Sequence, residues 1–120
     1  MADPKRGELW AVNFEPHAHK EERGKRERPA LVIQTDALNK ARHPTTIVIP
    51  GTSQTGSLPP DDLFPLRVRV QRTGALKHDT DLLIDQLRAI SNRRLLYRYA
   101  EVGLNHLKKV EEALRILTGR

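Results

Sequence analysis

The sequence predicts an α+β fold: a partly closed β-barrel with short helices and a C-terminal amphipathic helix, spanning residues 1–120 as one domain. Three observations lead there. Five or more short apolar or alternating stretches crowd into 120 residues, and so many strands in so short a chain favour a compact, curled sheet. Polar segments holding Gly and Pro separate these stretches. The last stretch repeats its apolar residues at helical spacing.

Taken in order, Leu9 to Phe14 alternates, with Trp10, Val12 and Phe14 on one face of a strand. Glu15 to Glu27 is charged, contains Pro16 and Gly24, and reads as a long loop that Arg28-Pro29 closes. Ala30-Leu31-Val32-Ile33 and Thr46-Ile47-Val48-Ile49 are unbroken apolar runs, the pattern of central strands covered on both faces. Between them, Asp36 to Lys40 has room for a helical turn or two. Gly51 to Pro65 reads as a second long loop. Leu66, Val68 and Val70 then alternate with Arg67, Arg69 and Gln71, a half-buried strand with a basic outer face. Gly74 marks a turn, and strand resumes over Asp81 to Ile90. Ser91 is placed to cap a short helical turn over Asn92 to Leu96. In the last element Leu104, Leu107, Val110, Leu114 and Leu117 form an apolar stripe. Gly103 stands at its N-cap, Val102 is placed to staple onto Leu107, and Gly119 ends the helix.

Composition narrows the function classes. A hydrophobic share of 38% beside 30% charged residues fits a globular protein rather than a disordered tail. No apolar run is long enough to span a bilayer, so no membrane partner is expected. The opening Met1-Ala2-Asp3-Pro4-Lys5-Arg6 does not read as a signal peptide, and the cytoplasm is the expected compartment. With no cysteine, disulfides and thiolate metal sites are excluded. The net charge of +6 favours an anionic partner. Two acid-free basic runs carry much of it: Arg67, Arg69, Arg72 and Lys77, then Arg88, Arg93, Arg94 and Arg98. One such run is as easily a solvated face as a phosphate-binding one; two in a small domain tilt towards phosphate.

Five segments in sequence carry a further signal: Arg6-Gly7-Glu8-Leu9-Trp10, Arg28-Pro29-Ala30-Leu31-Val32-Ile33, Ile47-Val48-Ile49-Pro50-Gly51-Thr52-Ser53, the stretch from Asp79-Thr80-Asp81 to Asp85-Gln86-Leu87-Arg88, and Val110-Glu111-Glu112-Ala113-Leu114. Each alone is weak. Together, in this order and over about residues 6 to 117, the chain resembles the MazF/PemK toxin family. The resemblance implies an SH3-like barrel with helices, a homodimer that cuts single-stranded RNA at short motifs, and a cognate MazE-like antitoxin whose acidic, flexible segment fills the RNA groove.

RNA supplies its own nucleophile, the 2′-hydroxyl beside the scissile phosphate, so such an enzyme needs no metal-activated water and no cofactor. It must hold the phosphate in line, move the 2′ proton, neutralise charge on the phosphoryl oxygens and protonate the leaving 5′ oxygen. Products are a 2′,3′-cyclic phosphate and a 5′-hydroxyl. A guanidinium suits the charge-stabilising task because its fork donates two hydrogen bonds to one phosphate. One such donor is worth roughly 3–4 kcal/mol of barrier.

The resemblance places Arg28 in that role, at the Arg-Pro position, with Arg23 and Arg26 as the neighbours it competes with. Thr52 matches the family's threonine and has a hydroxyl to offer a phosphoryl oxygen; a Thr beside Gly also commonly bonds its own backbone. Ser53 is its companion. In the first loop Glu21 or Glu22 is placed to meet a base edge or the 2′-hydroxyl. His17 and His19 share a face when extended, but no third ligand of matching spacing accompanies them, and no metal is expected. Asp85 and Gln86 match a further family position. In the PemK branch that aspartate is given a base role with an arginine two residues before it. Here Leu83 stands in that place, which leaves Asp85 a supporting residue, Gln86 a base reader, and Arg88 a contact for RNA backbone or for an acidic antitoxin residue. Two other classes remain open: a non-enzymatic poison similar to the CcdB gyrase inhibitors, and an RNA-binding barrel without catalysis.

Overall fold

A computed structural model describes residues 2–14, 27–56 and 60–119. The elements are β1 (Glu8–Asn13), β2 (Glu27–Val32), α1 (Asp36–Lys40), β3 (Thr45–Thr52), β4 (Arg67–Val70), β5 (Thr80–Leu83), β6 (Arg88–Ser91), β7 (Leu95–Glu101) and α2 (Leu104–Leu117). All strand pairs are antiparallel, in the order β4-β5-β3-β2-β1-β7, with β6 also paired to β3. The longest strand, β3, organises the sheet. Its first half, Thr45 to Val48, pairs with Ser91 to Arg88, and its last two residues, Gly51 and Thr52, pair with Leu82 and Asp81.

Alternation along β1, β2 and β3 produces two apolar layers. Leu9, Leu31, Ile49, Val68, Val70, Leu82 and Ile84 pack on one side with Val110 and Ala113 of α2. Trp10, Val12, Ala30, Val32, Val48, Ile90 and Leu95 pack on the other. The unbroken apolar runs are therefore central strands covered on both faces, as their composition requires. Each fully buried Leu or Ile contributes about 1.5–3 kcal/mol relative to exposure.

The ends of the sheet approach each other without closing. The Ala75 N–H, in the β4–β5 turn, donates to the Tyr99 carbonyl of β7 at 3.1 Å. Gly74 makes this approach possible. Its φ is +57°, and a Cβ there would stand 2.9 Å from the Tyr99 carbonyl oxygen. The result is a partly closed barrel with α2 packed across one face. Arg6 fixes that helix, donating to the Ile33 carbonyl and pairing with Glu111 of α2.

Several boundaries differ from expectation. Glu27 belongs to β2 rather than to the preceding loop, and β3 runs on through Gly51 and Thr52 because they find partners on β5. Pro60–Leu63 forms a 3-10 turn inside the expected second loop. Leu66 lies outside β4 and is exposed. The expected strand from Asp81 to Ile90 is two strands, β5 and β6, hinged by a 3-10 turn at Ile84–Gln86. Leu83 Cα and Arg88 Cα thus serve different sheet partners, Arg67 and Val48. Ser91 does cap a helical turn, its Oγ accepting from the Arg93 N–H, but that turn ends at Arg94. Leu95 and Leu96 open β7, a strand with no expectation attached to it. On α2, Leu104 is 74% and Leu117 37% exposed, so the stripe that packs runs only from Leu107 to Leu114.

Candidate nucleic-acid interface

Register builds the site. The β2–β3 ladder pairs Ala30 with Pro50 at its end, and the same register carried two residues on sets Arg28 opposite Thr52. β3 and β5 pair Thr52 with Asp81, and β5 and β4 pair Asp81 with Arg69. Directly opposed residues share a face. Arg28, Thr52, Asp81 and Arg69 therefore form one row across four strands, on the side opposite Val68, Val70 and Leu82.

The Arg28 guanidinium donates through Nη2 to the Gly51 carbonyl at 3.2 Å, which brings it to the residue before Thr52. Arg28 is exposed, and among the described residues most of its five donors have no partner. Gly51 permits this closeness. A Cβ at Gly51 would fall 2.5 Å from Thr80 Cγ2 and 3.5 Å from the Pro29 carbonyl, so β2, β3 and β5 meet only over a glycine. The Thr52 hydroxyl oxygen accepts from the Gln54 N–H at 3.1 Å. That is the local turn bond common for Thr near Gly. It occupies a lone pair and leaves the O–H free to donate. Ser53 follows, exposed.

Asp81 is fully buried beneath two guanidiniums. Arg69 Nε donates to its Oδ1 at 2.8 Å and Arg69 Nη2 to its Oδ2 at 3.3 Å, while Arg67 Nη1 reaches Oδ2 at 3.4 Å. Arg69 Nη2 also makes a longer contact, 3.5 Å, to the Thr55 carbonyl. The hydrogen bond to Asp81 holds the Arg69 guanidinium further above its already high ordinary value. Three guanidiniums against one carboxylate leave the row positive.

On the other face Glu27, the residue before Arg28, accepts from the hydroxyls of Tyr97 and of Tyr99, the latter at 2.8 Å. The two rings meet edge to face with centroids 5.3 Å apart. Both phenols are pushed above their ordinary value, Tyr97 chiefly by its bond to Glu27 and Tyr99 chiefly by burial. This clamp fixes the start of β2. It depends on β7 lying beside β1, which no local pattern foretold.

The other expected residues lie apart from the row. Asp85 and Gln86 sit exposed on the 3-10 turn after β5, and among the described residues no hydrogen bond or ion pair joins them to Arg28 or Thr52. Arg88 pairs with Val48, four residues along β3 from Thr52, about 13 Å away. Its guanidinium lies 5.3 Å above the Phe14 ring. Leu83, in the place of the PemK-type arginine, is buried. His17, His19, Glu21, Glu22, Arg23 and Arg26 fall outside the described residues. Among the described residues no three His, Asp or Glu side chains converge as metal ligands, and no helix is long and apolar enough to cross a membrane.

A cleft of about 1050 Å³ lies elsewhere, lined by Trp10, Arg42, His43, Thr46, Leu96 and Tyr97 among others. Thr46 stands six residues from Thr52 along β3, roughly 20 Å. The row of cations, not the cleft, carries the chemistry expected of a phosphate site. Trp10 and Leu95 are taken into the protein's own core, whereas Leu87, Leu96 and Tyr97 stay exposed.

An antiparallel, incompletely closed sheet, backed by a C-terminal helix and crossed by guanidiniums beside a hydroxyl, defines a small basic α+β barrel suited to anionic polymers. The chain belongs to the PemK-like, MazF-like toxins of type II toxin–antitoxin systems, whose family model matches residues 5–118. It is 32% identical over 113 residues to a Bacillus subtilis protein named Endoribonuclease EndoA, covering 93% of this chain and 91% of the relative. It is also similar to the structure of MazF from Deinococcus radiodurans, with a TM-score of 0.71, 28% identity and full coverage of both chains. A MazE–MazF structure from the same organism shares the fold, with a TM-score of 0.72, 24% identity and coverage of 99% and 98%.

Proposed function

We propose that this protein is the toxin of a type II toxin–antitoxin pair and acts as a metal-independent endoribonuclease that cuts single-stranded mRNA at a short sequence motif. Its compartment is the cytoplasm. The EndoA relative, named an endoribonuclease, supports the activity. The observation that carries the site assignment is the Arg28 guanidinium held 3.2 Å from the carbonyl that precedes Thr52.

In this reading the scissile phosphate lies over Arg28 and Thr52. The ribose 2′-oxygen attacks phosphorus as its proton passes to water, the bond from phosphorus to the 5′ oxygen breaks, and that oxygen takes a proton from water, so no net proton is consumed. The Arg28 fork neutralises charge on the phosphoryl oxygens as the pentavalent state forms, and the Thr52 O–H donates to one of them, with Ser53 as an auxiliary hydroxyl. A 2′,3′-cyclic phosphate and a 5′-hydroxyl result. Glu21 or Glu22 meets a base edge or the 2′-hydroxyl, Gln86 reads a base edge supported by Asp85, and Arg88 holds the RNA backbone. With only five aromatic residues in the chain, selection rests on hydrogen bonds to bases more than on stacking.

The partners are a second copy, supported by the exposed Leu87, Leu96 and Tyr97, and a MazE-like antitoxin. An acidic, flexible antitoxin segment suits the same cations that suit RNA. The decisive assay incubates the purified protein with a long RNA in EDTA and maps the ends. Cyclic-phosphate ends at recurring motifs are expected, and Arg28→Ala and Thr52→Ala should each abolish them. Full cutting by both variants removes the site assignment, and no cutting by the unaltered chain removes the enzymatic reading.

A further inference from the structure

We propose that Arg67 and Arg69, seated on the buried carboxylate of Asp81, form a second phosphate-binding position that continues the Arg28–Thr52 pair across the sheet and holds a phosphate flanking the one that is cut. The inference rests on the ribonuclease reading above and extends the path of the RNA beyond the reacting atoms.

The geometry has three parts. First, Arg69 and Thr52 share a row through Asp81, two inter-strand spacings or roughly 10 Å apart, on the same face. A chain of phosphates crossing the strands at the cleavage site passes over β5 and β4 next. Second, the charges do not cancel. Asp81 is 0% exposed and carries one negative charge, whereas the two guanidiniums above it carry two positive ones, with side chains 32% and 23% exposed for Arg67 and Arg69. A buried carboxylate needs one guanidinium for neutrality, and Arg69 already supplies a two-point contact. Arg67 touches Asp81 through Nη1 at 3.4 Å, and among the described residues its side chain has no second hydrogen-bond partner, which leaves further donors for a ligand. Third, Arg69 reaches the Thr55 carbonyl, so the same ion cluster ties β4 to the segment that leaves Thr52.

A simple structural cluster would need nothing more than its burial. The alternation Arg67-Val68-Arg69 instead sends both cations to the Thr52 side while the valines go to the core. Neither arginine touches the reacting atoms in this scheme. Both bind substrate beside them, with Asp81 as the positioning residue that fixes their forks.

The test uses the full-length chain and its Arg67→Gln and Arg67→Lys forms, leaving the Arg69–Asp81 contact in place. Binding is measured at several salt concentrations on a single-stranded RNA that contains a mapped cut site, made uncleavable by one 2′-deoxy substitution. Each phosphate contact to a single strand contributes about 0.7 to the slope of log K against log salt. Arg67→Gln should lower the slope by about that amount and raise KM on the long RNA roughly tenfold, with kcat unchanged and with little change on an oligonucleotide trimmed to the cut motif. Arg67→Lys should restore the slope.

A second measurement needs no variant to fold. On the unaltered protein, a neutral methylphosphonate at one flanking linkage should weaken binding. An unchanged slope, equal losses on long and trimmed RNA, or indifference to every flanking methylphosphonate overturns the inference while cleavage itself stands. An unaltered chain that cuts no RNA overturns the ribonuclease reading instead, and this inference with it.

Discussion

Arg28 Nη2 lies 3.2 Å from the carbonyl oxygen of Gly51, which joins a cation at the mouth of β2 to the strand end that presents Thr52. The contact is made by side chain to backbone across two strands, so it survives any change at residue 52. Position and chemistry can therefore be tested separately.

Arg28→Lys keeps the charge and loses the planar fork. Because the fork is what spans a phosphate, kcat should fall by about 100- to 1000-fold. Arg28 is exposed, so the unfolding free energy should move by less than about 0.5 kcal/mol. End-labelled RNA kinetics beside a urea titration report both. Near-normal kcat in the lysine form would mean that charge alone suffices.

Thr52→Ser and Thr52→Val separate the hydroxyl from the shape of the residue. Serine preserves the O–H and its acceptance from Gln54, so its kcat should stay within roughly tenfold of the unaltered protein; valine preserves shape and should lose about 100-fold. Equal activity of the two forms in single-turnover cleavage would return Thr52 to a turn-forming role.

Gly51→Ala places a methyl group 2.5 Å from Thr80 Cγ2 in a fully packed site. Overpacking of this kind costs about 1–3 kcal/mol, and the displaced strand should also carry Thr52 away from Arg28. Adding Thr80→Ser removes the obstructing methyl and should recover part of the stability. Denaturant midpoints of the single and double variants decide it, and an undisturbed Gly51→Ala protein would contradict the packing.

The tyrosines give a pH signature. Tyr97 and Tyr99 are the chain's two tyrosines, and both have phenols raised above the ordinary value of about 10. A raised folded value means that their stabilising contribution is fully present below the ordinary phenol value and is lost as pH rises through the folded ones. Tyrosinate absorbance should therefore stay low in the folded protein past pH about 10 and appear together with loss of structure. Glu27→Gln removes the negative charge and should bring ionisation to lower pH. Ordinary titration of both phenols in the folded, unaltered chain would rule out the clamp.

Much of the fold is legible in line because its cause is local or periodic. The unbroken runs at residues 30–33 and 46–49 need cover on two sides and obtain it, and the leucine spacing after Gly103 needs one apolar neighbour and finds it. Elements whose partners are distant are not legible. Residues 95–101 alternate too weakly to announce a strand, yet β1 recruits them as an edge. Asp81 to Ile90 looks continuous, yet β3 splits it between two pairings because its own two halves face different neighbours.

The candidate site divides the same way. Short motifs, each a property of a few adjacent residues, point to Arg28 and Thr52. The linear order of residues determined the apolar layers, the basic excess and these two positions. Only the tertiary structure decided that Arg28, Thr52, Asp81 and Arg69 stand in one row, and that Glu27 is held by two tyrosines some seventy residues away. The reason is register: a strand's hydrogen-bonding edge does not encode which distant edge it will meet, and a slip of one residue would send every one of these side chains to the opposite face.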